Sequence, residues 1–97
     1  FGPPPAATER LLLAQEARLL AGAAGIVCIR AAEDRGLLLE SVPGEPALAR
    51  LIARGVPLRR LDASRAYLPP PPGVASLDAA AALEAALRDL VRRLRRP

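Results

Sequence analysis

The chain has 97 residues, a net charge of +4, 52% hydrophobic residues, one cysteine, and no histidine, methionine or tryptophan. That suffices for one small domain with its own core. The lone Cys28 excludes an intramolecular disulfide and a cysteine cluster. Without histidine there is no Ser-His or Cys-His pair and no ordinary zinc or iron site; without lysine there is no Schiff base and no P-loop.

A sequence pI of 10.9 ordinarily points to an anionic partner. Here all 14 basic residues are arginine, and alanine, arginine, leucine, glycine and proline dominate, all with G/C-rich codons. Arginine is then partly a coding habit, and only the placement of charge is informative. No apolar run reaches the ~18 residues of a membrane span, and no signal peptide pattern is present. The first residue is Phe1 rather than methionine, which reads as a processed product or a piece of a longer chain.

In chain order, FGPPPAA (1–7) reads as a Pro-rich extended lead-in. Thr8 caps a helix from Glu9 to Ala21, with Leu12, Leu13, Leu19 and Leu20 as its apolar stripe. Glu16 falls near that stripe, so it is either a buried acid or a border residue beside an arginine; the second reading is favoured, because buried acids are rare. Gly22 and Gly25 flank the helix end.

GIVCIRA (25–31) is continuously apolar and β-branched, the pattern of a strand buried on both faces, with Cys28 in the core. AEDRG (32–36) is a turn in which Gly36 supplies a positive φ, and LLLESV (37–42) closes a hairpin. Pro46 opens a short helix to Arg54, with Leu48, Leu51 and Ile52 inward and Arg50 and Arg54 outward. Gly55 stops it. VPLRRLDA (56–63) is a third strand, placed at an edge by Pro57.

Residues 64–75 read as a Pro-rich linker after the α+β core of 8–63. Ser76 then caps an amphipathic C-terminal helix (76–97), with Asp78 in its first turn. The fold expected is α+β, in the order α-β-β-α-β-α. Its three-stranded sheet has the order second, first, third (37–42, 25–31, 56–63), a split β-α-β with the helices packed on it. This resembles half of a ferredoxin-like pattern, whose final strand is missing here.

Catalytic signals are few. GAAG (22–25) is no dinucleotide fingerprint. Glu33 and Asp34 lack the further oxygen ligands a cation needs. Glu16, Glu40 and Asp62 show no pairing. No catalytic residue, cofactor or metal is therefore assigned.

Three features could bind a partner. Leu83, Leu87, Leu90 and Leu94 form a seam on the last helix, facing either its own sheet or a partner helix. Arg88, Arg92, Arg93, Arg95 and Arg96 flank or oppose the seam and could contact phosphate. No aromatic interleaves them, so base stacking there is not supported. Leu68 with Pro69, Pro70, Pro71 and Pro72 resembles the proline-rich ligands of EVH1 domains, which implies docking in an aromatic groove; a rigid spacer is the plainer reading. Arg59 and Arg60 read as guards of an edge strand.

The expected function is a non-enzymatic protein-interaction module, or a subunit of a larger assembly, contacting protein partners through the last helix and the Pro-rich segments. The alternative is an accessory nucleic-acid or ribonucleoprotein binder using the arginine cluster. The helix-then-hairpin opening also resembles GAF-type domains, which implies small-ligand sensing, although the later strands of that family are absent.

Overall fold

The computed structural model describes residues 5–44 and 46–95. Its first element, α1, spans Pro5–Ala23. Residues 5–7 of the expected lead-in are therefore helical, residues 1–4 lie outside the described residues, and Thr8 sits inside the helix rather than capping it. Proline is tolerated in a first helical turn, and Ala6 and Ala7 are strong helix formers, so the helix starts earlier than a capping rule places it. Gly25, at φ +94°, turns the chain out of the helix end.

The remaining elements are β1 (Ile26–Ala31), β2 (Leu37–Ser41), α2 (Ala47–Ala53), β3 (Arg59–Arg60), β4 (Arg65–Leu68), a 3₁₀ turn at Val74–Ser76, and α3 (Ala79–Arg95). The α+β class is as expected; the sheet is not. It has four strands in the order β1-β2-β4-β3, and every neighbouring pair is antiparallel. There is no split β-α-β.

The strand that overturns the expected order is β4. It lies inside the segment read as linker and inserts between β2 and β3, pairing Leu37 with Leu68 and Leu39 with Ala66. Its four residues alternate exposed and buried until Pro69 removes the next ladder donor. With β4 in the centre, β1 is pushed to an edge. Its burial runs from buried Ile26 to exposed Arg30 and Ala31, and Cys28 is half-buried rather than core. The Pro57 segment is at the other edge, as expected, but only Arg59–Arg60 form a strand.

Strand register assigns the two sheet faces, since paired residues share a side. Ile29, Ala31, Leu37, Leu39, Ala66 and Leu68 point one way. All three helices cover that side. Ala21 of α1, Ala47, Leu48 and Leu51 of α2, and Ala86, Leu90 and Leu94 of α3 join Leu37, Leu39 and Leu68 in one buried cluster. The inward face of α2 holds Leu48 and Leu51 as expected, but Ile52 is exposed, one step round the helix from them. Gly55, at φ +92°, ends the segment as expected.

Helices α1 and α3 meet through small residues. Ala17, Ala21, Ala82 and Ala86 are buried, while Leu12 and Leu19 are exposed and Leu13 and Leu20 half-buried. The expected stripe is thus rotated toward the alanines, whose size lets the helices approach closely. Arg10 pairs with Glu84 at 3.3 Å and Arg95 with Glu16 at 2.6 Å, so the two helices run in the same direction. Glu16 is a border residue, not a buried acid.

Ser76 does not cap α3. Asp78 does, its Oδ1 accepting the Ala81 N–H at 2.8 Å. On the last helix Leu90 and Leu94 are buried and Leu87 is half-buried, while Leu83 remains 39% exposed. Leu90→Ala should therefore lower the unfolding free energy by about 3 kcal/mol and Leu83→Ala by about 1 kcal/mol or less. Equilibrium denaturant unfolding of the two variants checks this contrast.

Candidate functional site

With all helices on one side, no described element covers the opposite face of the sheet. Register builds that face in rows. Arg30 pairs with Leu38, Leu38 with Tyr67, and Tyr67 with Arg59, giving one row from edge to edge. The row beside it holds Cys28, Glu40 and Arg65.

Tyr67 is the centre of this face. Its ring leans along the sheet over Gly36, where an added Cβ would stand 2.6 Å from the phenol oxygen and 2.7 Å from a ring carbon. Gly36 is required for this approach and not for a positive φ, as the turn first suggests; the left-handed residue is Arg35, at φ 72°. The Tyr67 hydroxyl donates to one oxygen of Asp34. The other oxygen accepts the Gly36 N–H at 3.2 Å. One carboxylate thereby ties the hairpin turn to β4.

The same bonds set the local ionisation. The Tyr67 hydroxyl, then the Gly36 amide, hold the Asp34 carboxyl below its usual range. The Asp34 hydrogen bond, followed by burial, pushes Tyr67 above its usual value. Arg30 lies beside Cys28 and is attracted by Glu40 without reaching ion-pair distance. Asp62 is held low by the Ser64 amide and by Arg65, whose Nε lies 2.7 Å from it.

The arginines of the last helix are placed differently. Arg88 pairs with Glu84 at 2.7 Å, and Glu84 is held low by Arg88 and then Arg10. Arg92 and Arg93 converge on Asp89 at 2.6 and 2.9 Å. Asp89 is buried, and the two guanidinium groups offset its desolvation. Arg95 is held by Glu16 at 2.6 Å. Arg96 lies outside the described residues. Each described arginine of the cluster is thus paired with a carboxylate of the same chain, four cations sharing Glu84, Asp89 and Glu16.

The proline segment is also tied to the fold. Leu68, the expected anchor for a groove, is 2% exposed at the end of β4. Pro69, Pro70 and Pro71 are half-buried, and Pro72 is exposed.

A second surface lies at the β1 edge. A groove of about 360 Å³ runs there, lined by Arg18, Ala21, Ile26, Val27, Cys28 and Ile29. Above it, α1 turns Leu11, Leu12 and Leu19 outward at 58%, 59% and 75% exposure, and Val27 of β1 is 63% exposed. Large apolar residues grouped this way on a small domain mark a contact surface.

Sequence reasoning missed Tyr67, Arg30 and Arg59 because their shared row depends on β4. The alternation in RAYL was the available signal. Among the described residues no three of His, Cys, Asp and Glu come together as a metal site, and no helix is long and apolar enough to cross a membrane.

Fold and site together define a two-layer α+β domain with one sheet face and one sheet edge open. No family model, curated protein or solved structure matches the chain.

The Tyr67–Asp34 bond is directly testable, because Tyr67 is the only tyrosine and tryptophan is absent. Its phenolate absorbance should titrate above the ordinary value of about 10, and Asp34→Asn should move the midpoint back down. The stabilisation has two limits. The depressed Asp34 contributes above its unfolded value of about 3.9 and loses that contribution as pH falls through its folded value. The raised Tyr67 contributes below about 10 and loses it as pH rises through its folded value. Unfolding midpoints across pH should decline at both ends, and Asp34→Asn should flatten both declines.

Proposed function

We propose that this chain is a non-enzymatic interaction module that assembles with a second copy of itself. Strand β1 pairs with β1 of the second copy, antiparallel about a twofold axis near Ile29, and α1 packs beside α1. The observation that carries this reading is the mismatch between the composition of β1 and its position. Ile26, Val27, Cys28 and Ile29 make a run suited to a sheet interior, yet they stand at a free edge.

The two edges of the sheet differ in kind. Edge strands are ordinarily guarded by shortness, charge or proline. Strand β3 has all three: two residues, both arginine, after Pro57. Strand β1 has six residues, one of them charged. Its irregular register lies between Ile26 and Cys28, which leaves Cys28–Ala31 regular and able to take a partner strand.

A second copy suits the neighbouring helix face as well. Leu11, Leu12, Gln15 and Leu19 carry no charge; Arg18, which lines the groove beside them, is the one cation among the described residues there. Helix α1 packs against β1, so joining the two edges brings the two α1 helices side by side and covers leucines that are otherwise wet.

The expectation that partners dock on the leucine seam of the last helix has less support, since Leu90 and Leu94 face the chain's own core. The alternative of phosphate contact by the last helix is disfavoured by its internal ion pairs.

Sedimentation equilibrium at micromolar concentration should give twice the chain mass of 10.2 kDa. Val27→Lys, or Leu11→Glu with Leu19→Glu, should return the particle to one chain while circular dichroism is retained. A short bis-maleimide should join two copies through Cys28. A parent sedimenting as a single chain would overturn the proposal.

A further inference from the structure

We infer that the open face of the sheet binds single-stranded nucleic acid, with Tyr67 as the stacking platform and Arg30 and Arg59 as the phosphate contacts. The site does not require the pairing of β1: it lies on the sheet face rather than along the edge, although Arg30 belongs to both.

The row itself is the first ground. Arg30 and Arg59 stand at opposite ends of it, three strand spacings or ~14 Å apart, with Leu38 and Tyr67 between them. A backbone laid across the strands meets a cation at each end and an aromatic ring between. Sequence-tolerant recognition of single strands uses this combination of basic groove and stacking ring.

The placement of the ring is the second ground. The core is aliphatic, and the chain's only tyrosine is outside it, half-buried on the uncovered face. Gly36 lets the ring lie down, and the hydroxyl bond to Asp34 fixes it. A ring already held flat loses little freedom when a base stacks on it.

Charge is the third ground. Arg88, Arg92, Arg93 and Arg95 each hold a carboxylate of this chain. Among the described residues neither Arg30 nor Arg59 reaches a carboxylate at ion-pair distance; Glu40 attracts the first and Asp34 the second from further off. Arg65, one row away, is tied to Asp62, and Glu40 stands beside it. The strand therefore tracks the Arg30–Tyr67–Arg59 row. An acidic peptide would leave the tyrosine ring unstacked. A duplex hides its base faces, so the ring selects unpaired bases.

The test uses labelled oligouridylate and oligothymidylate titrated with the full chain at low and physiological salt. Tyrosine fluorescence reads stacking directly, since no tryptophan competes. Saturable binding with quenching of Tyr67 is expected. Arg30→Gln with Arg59→Gln should weaken it at least tenfold and flatten the salt slope by about 1.4, from ~0.7 per phosphate contact. Tyr67→Leu should weaken it about tenfold, while Tyr67→Phe, which keeps the ring, should not. Arg92→Gln with Arg95→Gln should leave it unchanged. Absence of quenching, dependence on Arg92 and Arg95, or equal binding of polyglutamate would each overturn the inference.

Discussion

Three helices must cover a four-stranded sheet, and they suffice for one face only. Leu37, Leu39 and Leu68 on the strands and Leu48, Leu51, Leu90 and Leu94 on the helices close into a single cluster on that side. The rest follows from this constraint. The other face is left to short polar rows and one tyrosine. The alanines of α1 turn inward because they alone let α1 close on α3, and the leucines of α1 are left outside. With β4 and β2 in the middle, the most apolar strand stands at an edge.

Charge is organised by the same packing. The arginine-rich end of α3 looks in sequence like a polycation. In the fold its cations find Glu84, Asp89 and Glu16 at ion-pair distance. The exposed pairs to Glu84 and Glu16 contribute little to stability. Their effect is on the field, because they hold the cations of that helix beside carboxylates, whereas Arg30 and Arg59 on the sheet reach none of the described carboxylates at ion-pair distance.

Much of the fold was legible in the residues themselves. The 3.6-residue period of Leu83, Leu87, Leu90 and Leu94 located α3, while the direction its seam faces stayed open until the fold turned Leu90 and Leu94 inward. Pro46 and Gly55 bracketed α2. What escaped was decided by tertiary pairing. RAYL is too short beside four prolines to announce a strand, yet as β4 it changes the sheet order and moves β1 outward. In α1 both alanine and leucine faces are apolar, so periodicity could not choose between them. Gly36 was legible as a glycine that matters, but its role depends on a ring 31 positions later.

The central claim is that an interior-type strand at a free edge is an unfinished pairing. Amide hydrogen exchange along β1, measured over a range of protein concentrations, addresses it most directly. The account predicts that protection of the Cys28–Ala31 amides rises with concentration, while that of Arg59 and Arg60 at the opposite edge does not. Concentration-independent exchange in β1, equal to that of β3, would contradict it.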